Sequence, residues 1–114
     1  GTYDLEIAPV TATAVGIWVD NAVLSGVTYT PTLDVWNNYS MTKSGNTYSL
    51  YVDGQLIGAA SDSDNATIGS TSYLARNGAT NYLNGKIGIA NIYNRALTPA
   101  EVLQNYNAMK GRFE

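Results

Sequence analysis

The chain contains no cysteine and no histidine. These two absences exclude disulfide bonds, thiol nucleophiles, His-based catalytic triads and the usual zinc sites. Charge is also scarce, because Asp, Glu, Lys and Arg make up only 13% of the 114 residues, against about 25% in a typical soluble domain. The surface must therefore rely on Asn, Ser, Thr, Gly and Tyr.

Basic clusters and long apolar runs are missing as well. The net charge is −3, from nine acids and six scattered bases. We expect no nucleic-acid partner, because neutralising phosphates requires clustered Lys and Arg. No apolar run approaches the roughly 20 residues of a membrane span, so we expect no membrane segment. Since nothing resembles a signal peptide and Gly1 is not a start methionine, we expect a processed product or a piece of a longer chain.

What the sequence does contain is a period-two pattern with turn residues between its segments. Nine tyrosines and eleven glycines suit strands and tight turns. Ser44-Gly45-Asn46 and Asp53-Gly54 are hairpin signals, and Tyr48, Leu50 and Val52 should share one face between them. Strands are predicted at 3–8, 14–20, 22–30, 33–43, 47–52 and 55–60, with at least two more within 66–94. Seven or so short strands indicate an antiparallel β-sandwich.

The end of the chain lacks the period-two pattern and is predicted to form a single helix over about 99–109. Thr98 fits the N-cap position, Pro99 the first helical position and Glu101 the third, which together form a capping box with a proline start. Arg95, just before the helix, is expected to tie down a carboxylate or exposed loop carbonyls. These roles are structural, so the helix requires no catalytic explanation.

The segments "LYVDGQLIG" (50–58) and "YLNGKIGIANIYNRALTPAEV" (82–102) resemble the concanavalin A-like lectin/glucanase superfamily in its laminin G-like branch. "DVWNNYSMTKSGNTYSLYVDG" also fits, with Trp36 opening the strand before the hairpin and with Tyr39 and Met41 on core positions. The resemblance implies an all-β, antiparallel jelly-roll β-sandwich with one C-terminal α-helix. The tail "EVLQNYNAMKGRF" resembles the end of such domains in tailed-phage structural proteins.

The sequence departs from this family in three places. Gly88 stands where the family is often acidic, and Asn38 stands where it often has His. A change of parity predicts a β-bulge near Ile89–Ala90. The part before Leu33 matches poorly and is short. We therefore expect one domain over 1–114, with an N-terminal strand missing or supplied by another chain.

Two sets of acidic residues are candidate sites. Asp4 and Glu6 lie two apart on one strand, as in the glucanases of the superfamily, where such a pair performs retaining glycoside hydrolysis. No other acidic cluster supports this, so a solvated edge strand is favoured. Calcium is the possible cofactor, because one loop offers three oxygen ligands and calcium takes six to eight. The loop ligands are Asp62, Asp64 and Asn65, with Asp20 or Asp34 to add; a solvated loop is again favoured.

Aromatic and amide side chains form a third candidate site, for glycan binding. Aromatic faces pack on sugar C–H groups and amides bind hydroxyls, while most aromatics of a sandwich, here Trp36 and Tyr48, belong to the core. The candidate residues are Trp18, Tyr73, Asn77, Asn81, Tyr82 and Asn84.

The expected function is a non-catalytic recognition or structural module on a phage virion, as a capsid decoration or a tail or fibre protein, with carbohydrate as a ligand. The alternatives are a carbohydrate-binding module of a larger secreted bacterial protein, a purely structural subunit, and a small glycoside hydrolase that uses Asp4 and Glu6. Expected partners are other virion or cell-surface proteins. An oligomer or a docked position is also expected, with Ala14–Thr30 near the contact, because Ala14–Asp20 carries no residue that guards a sheet edge.

Overall fold

Six strands occupy the described chain as far as Ser61, two short strands follow, and a helix lies near the end. The computed structural model describes residues 5–20, 22–63, 76–77, 81–82 and 85–113, and for 76–77 and 81–82 it describes the backbone. The strands are β1 Leu5–Pro9, β2 Val15–Val19, β3 Ala22–Tyr29, β4 Tyr39–Ser44, β5 Thr47–Val52, β6 Gln55–Ser61, β7 Arg76–Asn77 and β8 Asn81–Tyr82. Helix α1 is Pro99–Met109, followed by a 3-10 turn at Lys110–Arg112.

Two three-stranded antiparallel sheets form the body of the fold, in the orders β1-β2-β3 and β4-β5-β6, while β7 and β8 form a separate two-stranded ladder. Bulges lie between Gly16 and Trp18 in the β2–β3 pairing and between Leu50 and Tyr51 in the β5–β6 pairing. Strand β2 is the middle strand of its sheet, so the expectation that Ala14–Asp20 offers an unguarded edge is wrong.

The core lies between the two sheets and takes residues from both. Tyr48, Leu50 and Val52 of β5 are all buried, which confirms that they share the inward face. They meet four buried side chains of the first sheet: Ile17, Val19, Leu24 and Val27. Burying each such side chain contributes about 1.5–3 kcal/mol. The predicted β-sandwich with a C-terminal helix is therefore confirmed, and it is consistent with a jelly roll.

Strands β3 and β6 approach each other closely where the two sheets meet. A Cβ built at Gly58 would lie only 2.8 Å from the carbonyl oxygen of Gly26. A residue with a side chain would push the strands apart, so this contact requires glycine at position 58. The approach links the two sheets near one side of the sandwich.

Both predicted hairpins are present. Asp53 and Gly54 have φ angles of 51° and 77°, as the predicted type I′ turn requires. The β4–β5 hairpin pairs Ser44 with Thr47, so its loop is Gly45-Asn46, with a φ of 57° at Gly45. The loop is one residue shorter than the predicted three-residue signal.

Strand β4 begins at Tyr39 and not at Leu33 as predicted. Asp34 has a left-handed φ of 59°, which interrupts an extended strand. Regular pairing starts where the Asn38 N–H donates to Asp53 Oδ1 and the Asp53 N–H donates to the Asn38 carbonyl, both at 2.8 Å. Leu33 is consequently 85% exposed.

The predicted strand over 81–94 is wrong beyond Tyr82 within the part of the chain that the structure describes. Residues 86–93 lie outside any strand, so the expected bulge near Ile89–Ala90 is absent too. Gly88 removes a side chain from the middle of this segment, and its backbone packs against the ring of Phe113. Ile87, Ile89 and Ile92 remain exposed. The other predicted strand, over 66–75, lies outside the described residues.

Helix α1 begins as the sequence predicts. The Glu101 N–H donates to Thr98 Oγ1 at 3.2 Å and the Thr98 N–H donates to Glu101 Oε1 at 3.0 Å. Val102 is buried, and a Cβ at Gly54 would lie 2.9 Å from Leu103 Cδ1, so the helix packs on the β5–β6 turn. Of the helices in the described ranges, none combines the length and apolar character needed to cross a membrane.

Candidate functional site

Trp18 lies on the outer face of the first sheet. Its neighbours in β2, Ile17 and Val19, are buried in the core, and successive strand residues point to opposite faces. The register places Glu6 of β1 and Val23 of β3 directly opposite Trp18. Side chains that are directly opposite share a face, so we call Glu6, Trp18 and Val23 the Trp18 surface.

The Trp18 side chain is held in place by its own hydrogen bond. The indole Nε1–H donates to the carbonyl of Pro9 at 3.2 Å, which directs the ring towards β1. Trp18 and Glu6 are half-buried and Val23 is 38% exposed. The result is a fixed aromatic ring between a carboxylate and an aliphatic side chain.

This arrangement suits a neutral hydroxylated ligand. The ring offers an apolar surface to C–H groups, and an ionised carboxylate has about four lone-pair positions with which to accept O–H donors. Of the residues predicted for glycan contact, Trp18 is the one whose side-chain surroundings the structure describes.

The other predicted glycan residues lie elsewhere. Asn77 of β7 pairs with Asn81 of β8, and Arg76 pairs with Tyr82, so the backbone places Asn77 and Asn81 side by side on one short ladder. That ladder is separate from the sheet that carries Trp18. Tyr73 and Asn84 lie outside the described residues.

The structure describes only part of each acidic candidate. Asp4, Asp64 and Asn65 lie outside the described residues, and Glu6 faces Trp18 across the β1–β2 pairing. Among the described residues, no three Asp, Glu, His or Cys side chains come close enough together to hold a metal ion. Asp20 and Asp34, the suggested extra calcium ligands, have φ angles of 47° and 59° and serve as turn residues. The calcium site stays a prediction.

Trp36 is a surface residue, so the expectation that it belongs to the core is wrong, whereas Tyr48 is fully buried as expected. Because β4 starts three residues later, Trp36 lies in irregular chain and 46% of its surface is exposed. Its ring packs against Phe113, with centroids 4.8 Å apart and planes tilted by 40°. Gly88, which stands where the family is often acidic, leaves the space that the Phe113 ring occupies.

Arg95 forms the carboxylate contact that the sequence predicts. Its Nη1 and Nη2 donate to the two oxygens of Glu101 at 2.8 and 2.5 Å, and Nη1 also reaches the Ala96 carbonyl at 3.4 Å. These bonds to Arg95, followed by the Thr98 N–H, lower the pKa of the Glu101 carboxyl to about 2. Both oxygens are engaged in holding the start of the helix, which indicates a structural pair.

A shallow cleft of about 230 Å³ lies at one end of the first sheet, beside the Pro9 carbonyl that Trp18 contacts. It is formed by the β1–β2 loop and the chain after β3. None of the described residues that line it carries an acid or base. The lining residues are Pro9, Thr11, Ala12, Thr13, Ala14, Val15, Thr30, Pro31 and Leu33.

Comparison with known protein families gives a match to a laminin G-like model described as the concanavalin A-like lectin/glucanases superfamily, over residues 1–103. The chain belongs to this superfamily. The match starts at residue 1, so it includes the N-terminal strands as well as the part from Leu33 onward.

A solved structure similar to this superfamily member is an S-layer domain-containing protein from Clostridium thermocellum ATCC 27405. The two share 21% identity with a TM-score of 0.58, over 82% of this chain and 51% of that one. The chain thus spans about half of its solved neighbour, and at this identity the likeness concerns the fold. No curated protein sequence matched.

Glu6 is the described member of the predicted acidic pair, and it has Trp18 opposite it on the neighbouring strand. Retaining hydrolysis needs a second carboxyl group, and Asp4, the candidate for it, lies outside the described residues.

Proposed function

We propose that this chain is a non-catalytic carbohydrate-recognition module displayed outside the cell. The observation that carries the proposal is the match of residues 1–103 to a superfamily described by its lectins and glucanases. The fold by itself does not assign a carbohydrate-binding function, because one fold hosts many functions. The side chains on its surface have to supply the contacts to a sugar.

The Trp18 surface supplies chemistry suited to sugar. The ring is oriented by its bond to the Pro9 carbonyl and does not have to be ordered when a ligand arrives, and such preorganisation reduces the entropic cost of binding. Glu6 lies opposite Trp18 on β1 and brings a carboxylate to the same face of the sheet. A half-buried ring at the surface of a sheet suits weak binding of a polymer.

Four of the described carboxylates have structural roles, which supports recognition over hydrolysis. Asp20, Asp34 and Asp53 have left-handed φ angles and occupy turns, and Glu101 is engaged by Arg95 and Thr98. A glycosidase requires two carboxyl groups flanking one bond. Asp4 with Glu6 remains the pair that an enzyme would have to use.

The location we propose is a cell surface or virion surface. The similar solved chain is named as an S-layer domain-containing protein, which supports display on a bacterial cell as part of a larger secreted protein. The resemblance of the tail to tailed-phage structural proteins supports a capsid decoration or a tail or fibre instead.

Affinity electrophoresis through gels that contain laminarin or galactan tests the proposed function. We expect retardation of the intact chain, and loss of that retardation in Trp18→Ala, because the substitution removes the ring. Val35→Ala, an exposed apolar truncation outside the Trp18 surface, is the matched control and should migrate as the wild type does. Retardation that Trp18→Ala leaves unchanged would contradict the assignment of this surface. Release of reducing sugar that Glu6→Gln abolishes would show an enzyme.

A structural role in an assembly is the second candidate, and the exposed apolar side chains favour it. Leu33 and Ile92 are each 85% exposed and Val35 is 56% exposed. A neighbouring protein or a second copy would cover such side chains. Sedimentation at micromolar concentration tests this candidate: an oligomer or a complex is expected, and a stable monomer that also occupies an uncovered position in its native assembly would contradict it.

A further inference from the structure

The shallow cleft at the end of the first sheet lies next to the Trp18 ring. Pro9 connects the two features, because its carbonyl accepts the indole N–H at 3.2 Å and the same residue lines the cleft. Val15, which pairs with Pro9 at the end of the β1–β2 ladder, lines the cleft as well. The Trp18 surface and the cleft are therefore adjacent, so that one ligand can contact both.

Hydrogen bonds fix the loop that forms one wall of the cleft. The N–H groups of Val10 and Thr11 both donate to the Ala14 carbonyl, at 2.8 and 3.4 Å, and close the turn between β1 and β2. The Thr13 N–H donates to Thr11 Oγ1 at 3.2 Å. This bond uses the Thr11 hydroxyl as an acceptor, so its own proton can be donated to a ligand. A wall formed before binding reduces the entropic cost of holding a ligand.

The cleft is small, mostly apolar and uncharged. Its volume of about 230 Å³ is below the roughly 300–1,000 Å³ of sites for drug-sized ligands, so it accommodates one group of a larger ligand. Six of the nine lining residues are alanine, valine, leucine or proline, and the other three are threonine. Leu33 is 85% exposed, so its side chain offers apolar surface that a ligand can cover.

These properties decide which part of a sugar polymer fits the cleft. A hydroxylated sugar ring buried there would leave most of its O–H groups without partners, and each unpaired polar group costs free energy. An acetamido group brings one methyl group to the apolar wall and one carbonyl to a single donor. It also branches directly from the sugar ring, so a sugar on Trp18 carries it to the adjacent cleft.

We propose that the cleft binds the acetamido group of an N-acetylated amino sugar whose ring lies on Trp18. The methyl group packs against Leu33 and Ala12, and the Thr11 hydroxyl donates to the acetyl carbonyl. The uncharged lining suits an acetamido group, which is neutral, and disfavours the charged amine of the sugar without its acetyl group. This inference rests on the proposed function, because the Trp18 surface has to hold the sugar ring, and it names the class of sugar.

The expected gain in affinity follows from the two contacts. Burying one methyl group strengthens binding about fourfold, and a hydrogen bond to the carbonyl adds a factor of about two to ten. We therefore expect the acetamido sugar to bind about tenfold more tightly than a sugar with a hydroxyl group at that position. Neither contact involves an ion pair, so the difference should not depend on salt.

Two oligosaccharides that differ only in this substituent test the inference. Cellopentaose and penta-N-acetylchitopentaose share a β-linked glucose backbone, and the second carries an acetamido group where the first has a hydroxyl. Titration calorimetry of the whole chain should give about tenfold tighter binding of the acetylated oligomer. Nε-acetyl-lysine amide, which has an acetamido group and no sugar ring, should not bind at millimolar concentration. Laminarin and galactan report separately on the proposed function.

Two pairs of variants locate the acetamido group. Ala12→Leu fills the cleft from an exposed position of the loop and should remove the tenfold difference between the oligomers. Ala100→Leu, the same enlargement at an exposed position of α1, should preserve that difference. Thr11→Val should reduce the difference about two- to tenfold, because the hydrogen bond is lost, whereas Thr11→Ser keeps a hydroxyl and should retain it. Circular dichroism checks the fold of each variant, and the Thr11 pair provides the test if Ala12→Leu unfolds.

Four results would overturn the inference. Equal affinity of the wild type for the two oligomers would show that the acetamido group makes no contact; the proposed function then stands if laminarin, galactan or cellopentaose binds, and falls too if no saccharide binds. A tenfold difference that survives in folded Ala12→Leu, or in Thr11→Val, would place the acetamido group outside the cleft. An equal loss in Ala100→Leu would show an effect unrelated to the cleft. Binding of the lysine derivative as tight as that of the acetylated oligomer would show an acetyl site that needs no sugar.

Discussion

Two residues near the C-terminal end of the chain act in different ways, Gly88 through the space that its missing side chain leaves and Glu101 through its negative charge. Gly88 has no side chain, and the ring of Phe113 occupies the space where one would be. Glu101 holds its charge because Arg95 and the Thr98 N–H stabilise the ionised form. Both residues fix how the chain end lies on the sandwich.

Gly88→Ala should displace the Phe113 ring from the Gly88 backbone and weaken the contact between Phe113 and Trp36. The new methyl group would overlap ring carbons, and overpacking of this kind costs about 1–3 kcal/mol. The measurement is the free energy of unfolding in urea, with near-ultraviolet circular dichroism to report on Trp36. Gly111→Ala is the control, since nothing lies within 4 Å of its Cβ position. Equal destabilisation by the two substitutions would contradict the packing role.

The Arg95–Glu101 ion pair should make the free energy of unfolding depend on pH in the acid range. The folded pKa of Glu101 is about 2, below its ordinary value of 4.5, so the unfolded chain binds more protons between these values. The stability that the pair contributes is therefore complete above about pH 4.5 and is lost as the pH falls through 2. Urea midpoints of wild type and Glu101→Gln should converge over this window. A gap that stays constant from pH 6 to pH 2 would contradict the assignment.

At the scale of elements, the features set by neighbouring residues could be predicted and those set by distant contacts could not. Thr98, Pro99 and Glu101 predict where the helix begins. The turn residues predict the positions of the two hairpins. The start of β4 depends on the bonds between Asn38 and Asp53, fifteen residues apart, which no local pattern shows. Residues 86–93 alternate like a strand, yet they pack at Gly88 against the distant Phe113.

Thr98→Ala should destabilise the molecule by about 1 kcal/mol, because it removes the N-cap of α1 while the rest of the helix stays intact. Chemical denaturation provides the measurement. Thr98→Ser keeps the hydroxyl that accepts from the Glu101 N–H and should recover most of the loss. A midpoint in Thr98→Ala that equals the wild type would show that the helix contributes little to the stability of the sandwich.

At the scale of the whole molecule, the sandwich presents two partly exposed tryptophans in different surroundings. Trp18 has the carboxylate residue Glu6 opposite it, and Trp36 packs against the ring of Phe113. The sequence predicted Trp18 as a glycan residue and placed Trp36 in the core. The contact between Trp36 and Phe113 was not visible in the sequence, because the two rings are 77 residues apart and meet only in the folded chain.

The central claim is that the Trp18 surface binds carbohydrate, and the Trp18 indole N–H reports on it directly. Proton–nitrogen spectra recorded during titration with laminarin oligosaccharides give one indole signal for each of the two tryptophans, assigned with Trp18→Phe and Trp36→Phe. The account predicts a progressive, saturable shift of the Trp18 signal, since a sugar on the ring alters the N–H bonded to the Pro9 carbonyl. If galactan and laminarin oligosaccharides at millimolar concentration both leave that signal unmoved, the claim is contradicted.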